Sequence, residues 1–137
     1  MPLVLRIDHE ARVIVVAGFG VLTDDEFFNH HRRLIALDET IGYDELIDLT
    51  HITRIALPSA DRVRELAAEA AGSDERRGAS KLAIVAPSDF AYALGRMFQT
   101  TRGLDARSTR EVGVFRSMEE GLEFLGIDHP LTLPTLE

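Results

Sequence analysis

The chain has 137 residues, a net charge of −8 and no cysteine, the length of one ordinary domain and enough to bury a core without disulfide or metal. The missing thiols exclude a disulfide scaffold, a zinc thiolate site and a cysteine nucleophile, and the acidic balance repels phosphate backbones, which argues against nucleic acid as a partner. No apolar run approaches the roughly 20 residues of a membrane-spanning helix, so no integral membrane association is expected. The start MPLVLRIDHEAR lacks the apolar core of a signal peptide, and the expected address is the cytoplasm. Lys81 is the single lysine; the preference for Arg reads as genomic base composition, with guanidinium groups pairing to exposed carboxylates for little energy.

Val4 to Ile7 and Arg12 to Ala17 read as strands joined by a turn at Asp8 to Glu10. Thr23-Asp24-Asp25-Glu26 is a T-x-x-E capping box, and the helix it opens is predicted to run to about Asp38. Phe27, Phe28, Leu34, Ile35 and Leu37 form its inward stripe, broken by His31. Tyr43 to Leu49 reads as a strand. Ser59 to Ala71 reads as a helix with Val63, Leu66, Ala67 and Ala70 on one face, and GSDERRGAS, Gly72 to Ser80, as a loop or a frayed helix end. Lys81 to Ala86 is a strand, Asp89 to Thr101 a helix, Arg102 to Thr109 a loop and Glu111 to Arg116 the final strand. Ser117 to Glu120 reads as a second capping box, and Gly126 as a left-handed cap ending the last helix. The tail IDHPLTLPTLE has two prolines and no periodicity; it is expected to be extended and poorly packed.

The order β-β-α-β-α-β-α-β-α predicts an α/β domain whose sheet is largely parallel with right-handed crossovers. RVIVVA and KLAIVA are apolar on both faces, as central strands covered on both sides would be. If the helices gather on one side, the tail, a loop or a second subunit must cover the other. A homodimer is therefore one expectation.

No catalytic or metal motif stands out. Gly18-Phe19-Gly20 lies between a strand and a helix as a dinucleotide loop would, but Thr23 stands where the third glycine belongs. Asp24, Asp25 and Glu26 would also repel a pyrophosphate at that helix start. His30 and His31 are adjacent, about 100° apart on a helix, which is not a metal-binding spacing; a site assembled from His31, His51 and a carboxylate is the one remaining histidine arrangement to test. Otherwise the histidines, His9 and His129 among them, read as solvated or at the edge of the core. Ser88 occupies a strand-to-helix junction without the flanking glycines of a nucleophile elbow, so it reads as a helix N-cap. Glu119 and Glu120 sit at a helix start that the dipole already favours. On the third helix, Tyr92, Arg96 and Gln99 follow one another at spacings of three and four beside the apolar stripe and could rim a pocket. Gly95 costs roughly 1 kcal/mol there relative to Ala and signals close approach by a packing helix or a ligand.

Three stretches, ARVIVVAGFGVLTDDEF, YDELIDLTHITRIALPSADRV and KLAIVAPSDFAYALGRMFQ with its trailing EVGVFRSMEEGLEFL, together with the element order, resemble a STAS-like domain, and more narrowly its SpoIIAA-like (STAS/SEC14) branch. The resemblance implies a single-domain β-α superhelix over residues 1–126, with a mixed, mostly parallel five-stranded sheet and four helices, followed by an extended tail over 127–137. It also implies no catalytic centre and no cofactor. The expected function is a non-enzymatic regulatory or protein-interaction module. The alternative is a SEC14-like carrier or sensor of a small or lipid-like apolar ligand, with a small cofactor-independent enzyme as a third reading. In the bacterial anti-sigma factor antagonists that share the STAS fold, a serine in a D-S-[ST]-G setting is phosphorylated. Here the Asp of that setting falls on Ala56 and the Ser on Leu57, so Ser59 is the nearest hydroxyl, either as phosphorylation site or as plain N-cap. Arg54, Ser59, Tyr92, Arg96 and Gln99 are the candidate ligand or partner contacts.

Overall fold

The computed structural model describes residues 3–56 and 59–135, without the side chains of residues 75–77. Leu3–Asp8 (β1) and Val13–Thr23 (β2) form an antiparallel hairpin. Its turn is tied by the Ala11 amide donating to Asp8 Oδ1 at 2.9 Å. Then follow Asp24–Ile35 (α1), a 3-10 turn at Asp38–Thr40, Asp44–Ala56 (β3) and Ala60–Arg77 (α2). Lys81–Val85 (β4), Asp89–Gly103 (α3), Glu111–Phe115 (β5) and Met118–Phe124 (α4) complete the elements. The strands lie in sequence order, and only the β1–β2 pair is antiparallel. This is the expected five-stranded mixed sheet with four helices.

Right-handed crossovers that always step the same way must leave their helices on one face. Ile14, Val16, Leu49, Leu82, Ile84 and Val114 accordingly pack on that face with Leu34 and Phe27 of α1 and with Ala91, Leu94 and Phe98 of α3. The alternate residues Val13, Val15, Leu46, Ala83 and Val85 point the other way, as strand periodicity requires. They are covered by Leu122 and Phe124 of α4 and by Ile127, Leu131 and Leu133 of the tail. The tail is thus extended but not poorly packed, contrary to expectation: its apolar residues close a second core. With that face covered, the reason for expecting a second subunit over it falls away.

Several boundaries differ from the sequence reading, each for a physical reason. β2 does not stop at Ala17 but runs through Gly18 and Gly20. A Cβ at Gly18 would come within 2.6 Å of Ile52 Cδ1, so this glycine lets β3 cross closely rather than forming a phosphate loop. β3 runs on to Ala56 and shifts register twice against β2; at the first shift buried Asp48 accepts from the Thr50 amide at 3.1 Å. α1 ends at Ile35, short of Asp38. α2 continues through GSDERR instead of ending at Ala71, and stops at Gly78 with φ 78. Asp74 holds this last turn in place, as described below.

Both predicted capping boxes begin with a working N-cap. At Thr23 the hydroxyl accepts from the Glu26 amide and the Glu26 carboxylate accepts from the Thr23 amide. At Ser117 only half of the box forms: its hydroxyl caps the Glu120 amide, but the Glu120 carboxylate bonds that hydroxyl rather than the backbone. α4 ends as expected on Gly126 at φ 72, with Ile127 N donating to Leu122 O and Gly126 N to Glu123 O, the paired closure of a Schellman motif.

Candidate functional site

Three places in the molecule concentrate chemistry. The first is a buried ionic cluster at the amino ends of the parallel strands. Glu45 shares the helix-facing side of β3 with Tyr43, Ile47 and Leu49, and it is 2% exposed. His30 Nε2 donates to one of its oxygens at 2.9 Å and Arg110 Nη1 to the other at 2.8 Å. Arg110 also reaches Ser80 Oγ and the Tyr43 carbonyl. Burial pushes the Glu45 carboxyl up, but the His30 hydrogen bond and the Arg110 charge together outweigh it and hold the group at about 2. Next to this cluster, Asp74 at the end of α2 pairs with Arg102 of α3. Asp74 Oδ2 also accepts from Ser108 Oγ and from the Thr109 and Arg110 amides. These contacts lock α1, α2, α3 and the loop before β5 to the sheet. Every carboxylate oxygen of Glu45 and Asp74 is engaged, while His30 Nδ1 and Arg102 Nε are buried without a hydrogen-bond partner among the described residues.

The second place is an apolar cavity of about 100 Å³ between the sheet and the three helices. Ile47, Leu49 and Ile84 form its floor; Phe28, Leu66 and Phe98 are among its helical walls. Asp24 and Arg62 are the charged residues on its lining. Arg62 Nε donates to Asp24 Oδ2 at 2.6 Å, with further bonds to Asp25 and Glu65, and its guanidinium lies 4.3 Å over the Phe28 ring. The Arg62 hydrogen bond holds the Asp24 carboxyl below its ordinary range despite partial desolvation. Asp24 and Asp25 at the α1 start are therefore tied to α2.

The third place is an open cleft at the carboxyl ends of the strands. Ile52, Thr53, Arg54, Ile55 and Ala56 form one wall, with Ser88, Phe90 and Ala91 opposite. Ile55 and Ala91 line both the cleft and the cavity, so one thin wall separates them.

The candidate contacts scatter over these features. Arg54 lies exposed in the cleft. Ser59 stands at the N-cap position of α2, but its hydroxyl makes no capping bond; Leu57, where the family's phosphorylated serine would fall, lies outside the described residues. Tyr92, Arg96 and Gln99 do not form a rim around the cavity. Tyr92 is covered by the Arg116 guanidinium at 4.1 Å, Gln99 donates to the Val112 carbonyl at 2.8 Å, and Arg96 is exposed. α3 lines the cavity instead with Ala91, Leu94, Gly95 and Phe98. A Cβ at Gly95 would meet Val114 Cγ1 at 2.9 Å, so the close approach is between α3 and β5.

The histidines are likewise dispersed. His31 lies within 3.2 Å of Ser73 Oγ, and burial pulls its pKa down, whereas exposed His51 stacks on Phe19. No group of three or more His, Asp or Glu side chains among the described residues could hold a metal ion. Ser88 caps α3 by accepting from the Ala91 amide at 3.2 Å. The sequence reading overlooked Glu45 and Arg110 and weighed His30 only as a metal ligand. One signal was present: in YDELIDL the acidic Glu45 alternates with Tyr43, Ile47 and Leu49, which puts a charge on the buried face of a strand.

No protein-family model matches the chain, and no curated protein matches it significantly. Among solved structures it is similar to an uncharacterised protein of the DUF3478 family, with a SpoIIAA-like fold, from Shewanella loihica PV-4. The TM-score is 0.55 at 15% identity, covering 90% of this chain and 91% of that one. No helix among the described residues is long and apolar enough to cross a membrane.

Proposed function

Starting from a SpoIIAA-like fold, we propose that this protein is a non-enzymatic regulatory module that responds to a small apolar molecule held between its sheet and helices α1 to α3. The cavity carries this reading. This apolar space of about 100 Å³ leaves the side chains that line it short of packing partners, which a bound apolar molecule would supply. Comparable engineered apolar cavities stay dry and take up benzene-sized molecules, so the volume favours a compact ligand over an acyl chain. The shifted titratable groups support a non-catalytic role: Glu45 is sealed in its network, and Asp24 is occupied by Arg62.

Benzene serves as the probe. Saturating benzene is expected to raise the unfolding temperature of the wild-type protein and to leave Leu66→Phe, which fills the cavity, unshifted. Absence of a shift in the wild type overturns the reading. Native mass spectrometry of freshly purified protein gives an independent check, through a retained adduct.

A second reading, as a protein-interaction module, is supported by a different observation. Phe90, 56% exposed, projects at the cleft where β3 outruns its neighbour.

A further inference from the structure

The sheet narrows abruptly at its carboxyl end. β3 pairs with β4 only from Glu45 to Asp48, and β4 ends at Val85. β3 nevertheless continues alongside β2 to Ala56. From Thr50 to Ala56, one edge of β3 therefore has no strand beside it among the described residues, although the Thr50 amide is already held by Asp48 Oδ1. Such an edge presents N–H and C=O groups to solvent and is a template for another strand. The cleft of about 790 Å³ lies along this edge, where β4 would have continued. It offers room for a short extended segment.

We propose that the cleft binds an extended peptide of a partner protein, which adds to the free edge of β3 as a strand. This deepens the protein-interaction reading, and the benzene experiment on the cavity tests the other reading separately. The side chains on the cleft specify the chemistry of the occupant. Arg54 is exposed and makes no hydrogen bond or ion pair among the described residues, so it selects a carboxylate on the peptide. Phe90 and Ile52 supply apolar contact for a neighbouring side chain. The net charge of −8 steers partners whose surroundings are basic. The occupant is thus a segment of a basic protein with alternating apolar residues and one acidic residue. A second copy of this chain fits less well, because two chains of that charge repel one another.

The probe is a displayed library of short random peptides. Enriched sequences are expected to alternate apolar residues, carry basic flanks and contain one central carboxylate. As synthetic peptides they should bind saturably and slow amide exchange between Thr50 and Ala56. Arg54→Glu should weaken binding about tenfold, and changing the peptide's acidic residue to lysine should restore it. Phe90→Ser supplies a second variant on the opposite wall, with an expected loss of similar size. Both side chains are exposed, and thermal unfolding verifies that the variants fold. The proposal is overturned if no peptide is enriched, if bound peptides protect another surface, or if neither substitution matters. It is also overturned if Thr50 to Ala56 becomes protected only as the chain self-associates in sedimentation, since a second copy would then own the edge.

Discussion

Glu45 joins a helix, a strand and a loop through two hydrogen bonds. Its carboxyl ionises at about 2 rather than the ordinary 4.5, so the folded state binds fewer protons than the unfolded state between those values. The resulting stabilisation is complete above about pH 4.5 and is lost as the pH falls toward 2. The urea midpoint should therefore fall with acidification across that window. Glu45→Gln should flatten this dependence and cost about 3–5 kcal/mol at neutral pH, because His30 and Arg110 would stay buried without their carboxylate. Gly95 poses a different contest. Replacement by Ala gains roughly 1 kcal/mol of helix propensity, but the new methyl would stand 2.9 Å from Val114 Cγ1. Overpacking of this kind costs about 1–3 kcal/mol, so Gly95→Ala should lower the unfolding temperature. A rise would show that α3 can move away from β5 at little cost.

Elements with a local cause were legible in the sequence, and those with a distant cause were not. The Thr23 capping box, the Gly126 cap and the doubly apolar strands at Val13 and Lys81 announce themselves through their neighbours in the chain. The last turn and a half of α2 does not. Gly72, Ser73 and Asp74 look like loop residues, yet Asp74 receives Arg102 and two amides from the loop before β5, and these partners lie in a later part of the sequence. The same applies to the long β3, whose overhang is fixed by pairing with residues Phe19 to Thr23. For the candidate site, Arg54 was legible as an exposed polar group, whereas the cavity depends on which helix faces meet and has no local signature. Asp74→Ala leaves Arg102 buried without its carboxylate and should cost about 3–5 kcal/mol, which accelerates exchange at Val15 and Val16 in the sheet centre. If Asp74 also organises the loop, Thr109 and Arg110 should become the fastest of these amides and exchange by local opening that does not depend on denaturant; denaturant-dependent exchange at all four would mean that Asp74 supports only the fold as a whole.

The molecule as a whole has two cores of unequal origin. The helix-side core draws on every crossover, while the opposite core depends on α4 and the tail. A chain truncated after Gly126 should bare part of the face formed by Val13, Val15, Leu46, Ala83 and Val85, and large exposed apolar patches promote association. Sedimentation should then show oligomers absent from the full chain; a monomeric truncated chain would mean that α4 suffices alone. The sequential strand order also has a consequence for synthesis. Once Phe115 has been added, all five strands and three helices exist, but one sheet face has no cover until α4 and the tail follow. Any folding intermediate in which the five strands have paired before α4 and the tail dock therefore carries a bare apolar face, and newly made chains in that state are prone to associate.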